Sequence, residues 1–118
     1  MSNKIDIIVI DPLLKIISTK TIEDTLSDLQ ESIGGHGIEI VYIDGGEIMY
    51  VDEEGLYRDN QSFFVYTSDD GVKTPFAGKA IVLGTNGAGE SASTKFSVLD
   101  ISKKIEFLSV SEIAAMRL

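Results

Sequence analysis

The chain contains no cysteine and no tryptophan, one histidine and two prolines. Without cysteine there is no disulfide, no thiolate nucleophile and no cysteine-ligated metal, and nothing in the composition argues for secretion. An intracellular, cytoplasmic protein is the expectation. A single histidine, His36, leaves nucleophilic catalysis and paired metal ligation with little to work with, so no catalytic residue, cofactor or metal is assigned. No apolar run approaches the ~20 residues that span a bilayer, and MSNKIDIIVID lacks a small-residue cleavage site, so a soluble, unprocessed protein is expected. Basic charge is scarce too. Ten lysines and arginines against nineteen acids give a formal net charge of -9, which repels phosphate backbones and anionic membranes at long range. The acidity serves solubility, or it draws a basic partner, including by mimicry of nucleic acid.

What is present describes a folded protein. The 118 residues are 43% hydrophobic and 25% charged, enough for one core and too few for two ordinary domains. Residues 1–118 are therefore read as a single α+β domain. Its expected architecture is a mostly antiparallel or mixed sheet of about five strands with one main amphipathic helix packed on it.

That helix is read in Thr21 to Ile33. Ile22, Leu26, Leu29 and Ile33 share a face at helical spacing, Thr21 suits an N-cap, and Gly34-Gly35 supply the stop beside His36. Lys4 to Ile10 turns continuously apolar, as a strand buried on both faces does. A second strand near Leu14 to Ser18 follows the Asp11-Pro12 turn. Ile38 to Ile43 and Glu47 to Asp52 flank Asp44-Gly45-Gly46, whose residues reach the positive φ of a tight hairpin turn. Ser62 to Thr67 reads as a strand that turns at Asp70-Gly71 into Val72 to Thr74, where Pro75 interrupts it. Gly78 to Leu83 has the apolar density of a central strand.

Residues 84–94, GTNGAGESAST, read as a flexible glycine-rich loop. They spell G-x-x-x-x-G-E-S, a phosphate-loop pattern in which Glu90 stands where the motif needs the lysine that meets the phosphates. A carboxylate repels them, and a nucleotide site is not expected. The segment 95–118 stays open between strand, from Phe96 and Val98, and helix, from Ile101, Ile105 and Leu108 after an Asp100 cap.

Two groups of side chains are candidates for binding. Asp24, Asp28 and Glu31 repeat at i, i+4 and i+7, an acidic ladder rising on the order of 6 Å per step that faces a basic protein or simply solvent. Glu54, Tyr57, Arg58 and Asn60 fall in a polar loop whose residue types are enriched at binding surfaces, with Lys79 as a further cation for an anionic ligand.

The order of Leu26, Leu29-Gln30, Gly34-Gly35, Ile38-Glu39, Glu53-Glu54-Gly55, Asn60 and Gly78 to Gly84 resembles a domain of unknown function encoded mainly by bacteriophages, prophages and bacterial mobile elements. The resemblance covers roughly the first 84 residues and leaves the glycine-rich loop and the C-terminal segment outside. It implies a non-enzymatic acidic interaction protein in a bacterial host cell, binding and modulating a host protein as a defence inhibitor or nucleic-acid mimic. The alternatives are a small-ligand binder that sequesters a nucleotide or metabolite, and an enzyme of unknown class.

Overall fold

The computed structural model describes residues 4–23, 38–52, 62–86 and 90–108. Among them are nine strands, β1 (Lys4–Asp11), β2 (Ile16–Glu23), β3 (Ile38–Tyr42), β4 (Ile48–Asp52), β5 (Phe63–Thr67), β6 (Lys73–Ala77), β7 (Ala80–Thr85), β8 (Ser91–Ala92) and β9 (Ile105–Leu108), and one short helix, α1 (Val98–Ser102). Six strands form one sheet in the order β2-β1-β7-β4-β3, with β8 paired to β7, and a smaller sheet runs β6-β5-β9. Every pairing is antiparallel. The molecule is thus mostly antiparallel sheet in two layers, which corrects the expected α+β architecture with one main helix.

The reason lies in β2. Its ladder with β1 runs unbroken from Asp11↔Ile16 to Lys4↔Glu23. Thr21, expected as a helix cap, instead donates its hydroxyl to Asp6 across the ladder at 2.7 Å. Ile22 pairs with Ile5 and is buried with it. Cross-strand pairing outweighs local helical spacing here, because propensity is a weak preference that tertiary contacts override. The remainder of the expected helix, with its glycine stop and His36, lies outside the described residues.

Strands β1 and β7 explain their own sequences. Ile8 and Ile10 of β1, with Ala80 and Val82 of β7 and Met49 and Val51 of β4, face the small sheet and bury against Phe64, Tyr66 and Ile101. Alternate residues point the other way: Ile5, Ile7, Ile81, Leu83 and Ile48 form a second buried cluster on the opposite face. Both faces at the sheet centre are dry, so β1 stops alternating with polar residues after Asp6 and β7 is apolar from Ala80 to Leu83. Each fully buried aliphatic there contributes about 1.5–3 kcal/mol of transfer free energy.

The turns follow from residues at their corners. Asp11 Oδ1 accepts the amides of Leu13 and Leu14 at 3.0 and 3.2 Å and holds the β1–β2 corner. Between β3 and β4 a single 3₁₀ turn, Asp44–Gly46, puts Gly45 and Gly46 at φ +72° and +73°. Strand β6 runs straight through Pro75, contrary to the interruption expected there. Hydrogen bonds at Ser68–Val72 and Gly78–Ser62 place the bonded pairs of the β5–β6 ladder at even residues. Pro75, opposite Val65, therefore directs its missing donor away from β5, as an edge strand tolerates.

In the C-terminal region, Ser97 and Asp100 form a reciprocal capping box, at 3.0 and 2.9 Å, that starts α1. Asp100 is thus the third helical residue rather than the cap. Helix α1 buries Ile101 in the main core, and the chain then enters β9, so the described part of this region, residues 95–108, is helix followed by strand.

Candidate functional site

The charged side chains between the two sheets converge on Asp44. Its carboxylate Oδ2 accepts the Tyr66 hydroxyl at 2.6 Å, the Asp69 amide at 3.1 Å and the Lys104 ammonium at 3.3 Å. Lys104 also bonds the Asp69 carboxylate. Backbone geometry presents each group. Asp44 sits at the β3–β4 corner, Tyr66 shares the inward face of β5 with Phe64, Asp69 follows β5, and Lys104 is fixed by its amide on Ile101 and its carbonyl on Thr67. One polar bridge therefore ties the large sheet to the small one.

Its electrostatics favour the bonded forms. The Tyr66 hydroxyl, then the Asp69 amide and Lys104, hold Asp44 below the usual carboxylate range against the opposing effect of burial. Burial first, and then Asp44, push the Tyr66 phenol up. Its bond to Asp69, reinforced by Asp44, raises Lys104. Two carboxylates against one ammonium leave the bridge negative, and the Tyr66 proton is locked in place as a donor.

A second buried acid closes the neighbouring seam. Glu47, 3% exposed, accepts the Thr94 hydroxyl and, at 3.1 Å, the Lys95 amide. Gly84 lies against it. A Cβ at this glycine would sit 2.9 Å from Glu47 Oε2 and 2.6 Å from the Ser93 carbonyl oxygen, so close approach demands glycine there. The first glycine of the phosphate-loop pattern has this packing role. Gly84 and Thr85 pair with Ala92 and Ser91, and Asn86 bonds Glu90 through backbone and side chain, so the ends of residues 84–94 form a hairpin.

Clefts open on both sides of the bridge. One, of about 740 Å³, is lined by Phe96, Thr67, Lys95, Lys103, Lys104 and Asp100, among others. The other, of about 610 Å³, runs between β3 and β6 and is lined by Tyr42, Val72, Phe76, Asp44, Asp69 and Asp70, with no cation among its lining residues. Tyr42 is 83% exposed and Val72 is exposed beside it. The first cleft offers ammoniums, interspersed with the carboxylates of Glu47, Asp69 and Asp100, beside an aromatic ring; the second offers apolar surface beside carboxylates.

Asp24, Asp28, Glu31, Glu54, Tyr57, Arg58 and Asn60 all lie outside the described residues, as does His36. Lys79 reaches Asp11 at 4.0 Å, at the β1–β2 corner. Asp44, Glu47, Tyr66 and Lys104 escaped the sequence reading. Tyr66 carried a signal, since a tyrosine on the inward face of an apolar strand needs a partner for its hydroxyl. Among the described residues, no three histidine, aspartate or glutamate side chains are grouped to hold a metal ion, and no helix is long and apolar enough to cross a membrane.

A family model for the domain of unknown function DUF3846 matches residues 5–106. The chain belongs to the DUF3846 family. The DUF3846 match takes in both sheets, the bridge and the lining of both clefts, and it extends past residue 84 through α1 into β9. The resemblance drawn over the first 84 residues alone was therefore too short. No curated protein and no solved structure matches the chain.

Proposed function

We propose that this DUF3846 protein is a non-enzymatic acidic interaction protein, carried by a bacteriophage or mobile element, that binds a basic surface of a host protein in the cytoplasm and modulates it. The observation that supports this reading best is the groove between β3 and β6. It sets Val41, Phe76 and exposed Val72, with Tyr42 at its edge, beside Asp44, Asp69 and Asp70; Lys104 pairs with Asp44 and Asp69 from the other side of the bridge, and no cation lines the groove itself. An apolar centre with a polar rim is the usual anatomy of a binding surface, and a net charge of -9 steers basic partners toward it. Inhibition of a defence protein or mimicry of nucleic acid is the biological form this takes. Titration with decalysine, followed residue by residue through amide chemical shifts, tests it. Saturable shifts centred on Tyr42, Asp69 and Asp70 are expected, and shifts spread evenly over the acidic surface would overturn it.

A second reading, a small-ligand binder for a nucleotide or metabolite, draws support from the other cleft. Lys95, Lys103 and Lys104 beside Phe96 supply cations and a stacking face within an otherwise acidic protein. A thermal-shift screen against nucleotides separates the readings, because a ligand that binds only the folded state stabilises it.

A further inference from the structure

The two strands that border the acidic groove are both edges among the described residues, and they differ in what their outer sides offer. The Ile43 amide bonds the Glu47 carbonyl at 3.0 Å, which places the bonded positions of the β3–β4 ladder at odd residues of β3. Ile38, Ile40 and Tyr42 consequently direct N–H and C=O away from β4. No described strand pairs with that side, and Ile40 and Tyr42 are 50% and 83% exposed. On β6 the outward positions are Lys73, Pro75 and Ala77, so the edge is guarded by a proline without a donor and by a lysine. Among the described residues, strand β3 has no such guard at its outward positions.

We infer that the outer side of β3 takes an extended, basic segment of a partner protein as an added strand, and this rests on the reading of the protein as an acidic interaction module. Main-chain bonds to Ile40 and Tyr42 supply the affinity, as in other strand-addition complexes. Side chains that alternate along the added strand place aliphatic groups beside Ile40 and Tyr42 on one face and lysine or arginine near Asp69 and Asp70 on the groove face. Charge selects the occupant. A second copy of this chain would bring its own net charge of -9 and another set of groove carboxylates to the contact, whereas a basic segment neutralises them.

The test uses the full chain with a decapeptide alternating valine and lysine, the same peptide N-methylated at alternate amides in each of its two frames, and decalysine. The unmethylated decapeptide is expected to bind and to slow hydrogen exchange at the Ile40 and Tyr42 amides. Methylation in one frame should weaken it about tenfold, the loss of one or two net hydrogen bonds, and Ile40→Pro should do the same. The methylated peptides act on the unaltered protein, so the test stands even if Ile40→Pro fails to fold. Equal binding of all peptides, or no protection at Ile40 and Tyr42, overturns strand addition; if decalysine still binds at the groove, the acidic-module reading stands alone. Failure of every peptide removes both. Protection of those amides in a peptide-free dimer assigns the edge to a second copy and also overturns the proposal.

Discussion

The two clefts share a wall and differ in where their cations lie. Ser68 and Asp69 line both, yet one side sets Lys95, Lys103 and Lys104 among the acids Glu47, Asp69 and Asp100, while the other sets Asp44, Asp69 and Asp70 beside Val72 and Phe76 with no lysine or arginine. The difference arises from which corner supplies each lining. The β3–β4 and β5–β6 corners are built on aspartates that satisfy turn amides and hydroxyls, as Asp44 does for Asp69 and Asp70 for Ser68. The segment around α1 contributes lysines after a helix whose capping acid, Asp100, lies in its first turn. Turn chemistry thus leaves one side with acids alone, and the residues flanking the helix, Lys95 before it and Lys103 and Lys104 after it, bring lysines to the other.

Four changes break or sharpen that contrast. The largest effect is expected from Phe64→Ala, because Phe64 is fully buried in the core between the sheets and its ring lies tilted, centroids 5.5 Å apart, against Phe76 of the acidic groove. A loss of about 3–5 kcal/mol in denaturant unfolding would follow. Asp44→Ala removes the centre of the bridge, strands the Tyr66 hydroxyl and leaves the Lys104 ammonium with Asp69 alone. Unfolding should show a loss of about 1–3 kcal/mol, with Tyr66→Phe and Asp44→Ala strongly non-additive in a double-mutant cycle.

The pH dependence comes next. Asp44 is held low in the folded state, so its contribution is present above the ordinary aspartate range and lost as pH falls through its folded value. Tyr66 and Lys104 are raised, so theirs is full below the ordinary tyrosine and lysine ranges and fades as pH rises through their folded values. Stability should therefore be flat from mildly acidic to mildly alkaline pH and drop at both ends. Phenolate absorbance of Tyr66 that develops in the ordinary tyrosine range without unfolding would remove the bridge from this account. Smallest is Lys103→Ala, an exposed residue of the lysine side, which should change stability by less than about 0.5 kcal/mol. Any nucleotide-induced thermal shift should nevertheless shrink in that variant.

Individual strands were legible in the sequence, the two-sheet architecture was not, and little of the site was. Continuous apolar runs in β1 and β7 announced strands buried on both faces, and Asp44-Gly45-Gly46 announced the hairpin corner, since each signal is local. Strand β2 was misread beyond Ser18 because Thr21 and Ile22 satisfy a helix start as readily as a strand end, and only the ladder to β1 decides between them. Pro75 was misread for a related reason: whether a proline breaks a strand depends on which side its missing donor faces, and that is set by register. The bridge was invisible because its members are distant in sequence, with Tyr66, Asp69 and Lys104 standing 22, 25 and 60 positions from Asp44. The ladder and loop candidates, Asp24, Asp28, Glu31, Glu54, Tyr57, Arg58 and Asn60, lie outside the described residues and keep the standing the sequence gives them.

The central claim is that the acidic groove, rather than net charge, carries binding. Decalysine affinity should be measured for Asp69→Asn with Asp70→Asn and, in parallel, for Glu90→Gln with Glu106→Gln, two exposed acids outside both clefts. Both pairs remove the same charge. Neutralising the groove should weaken binding about tenfold and neutralising the distant pair less than about twofold, because close pairs are screened less than distant ones. Equal weakening by the two pairs would contradict the account.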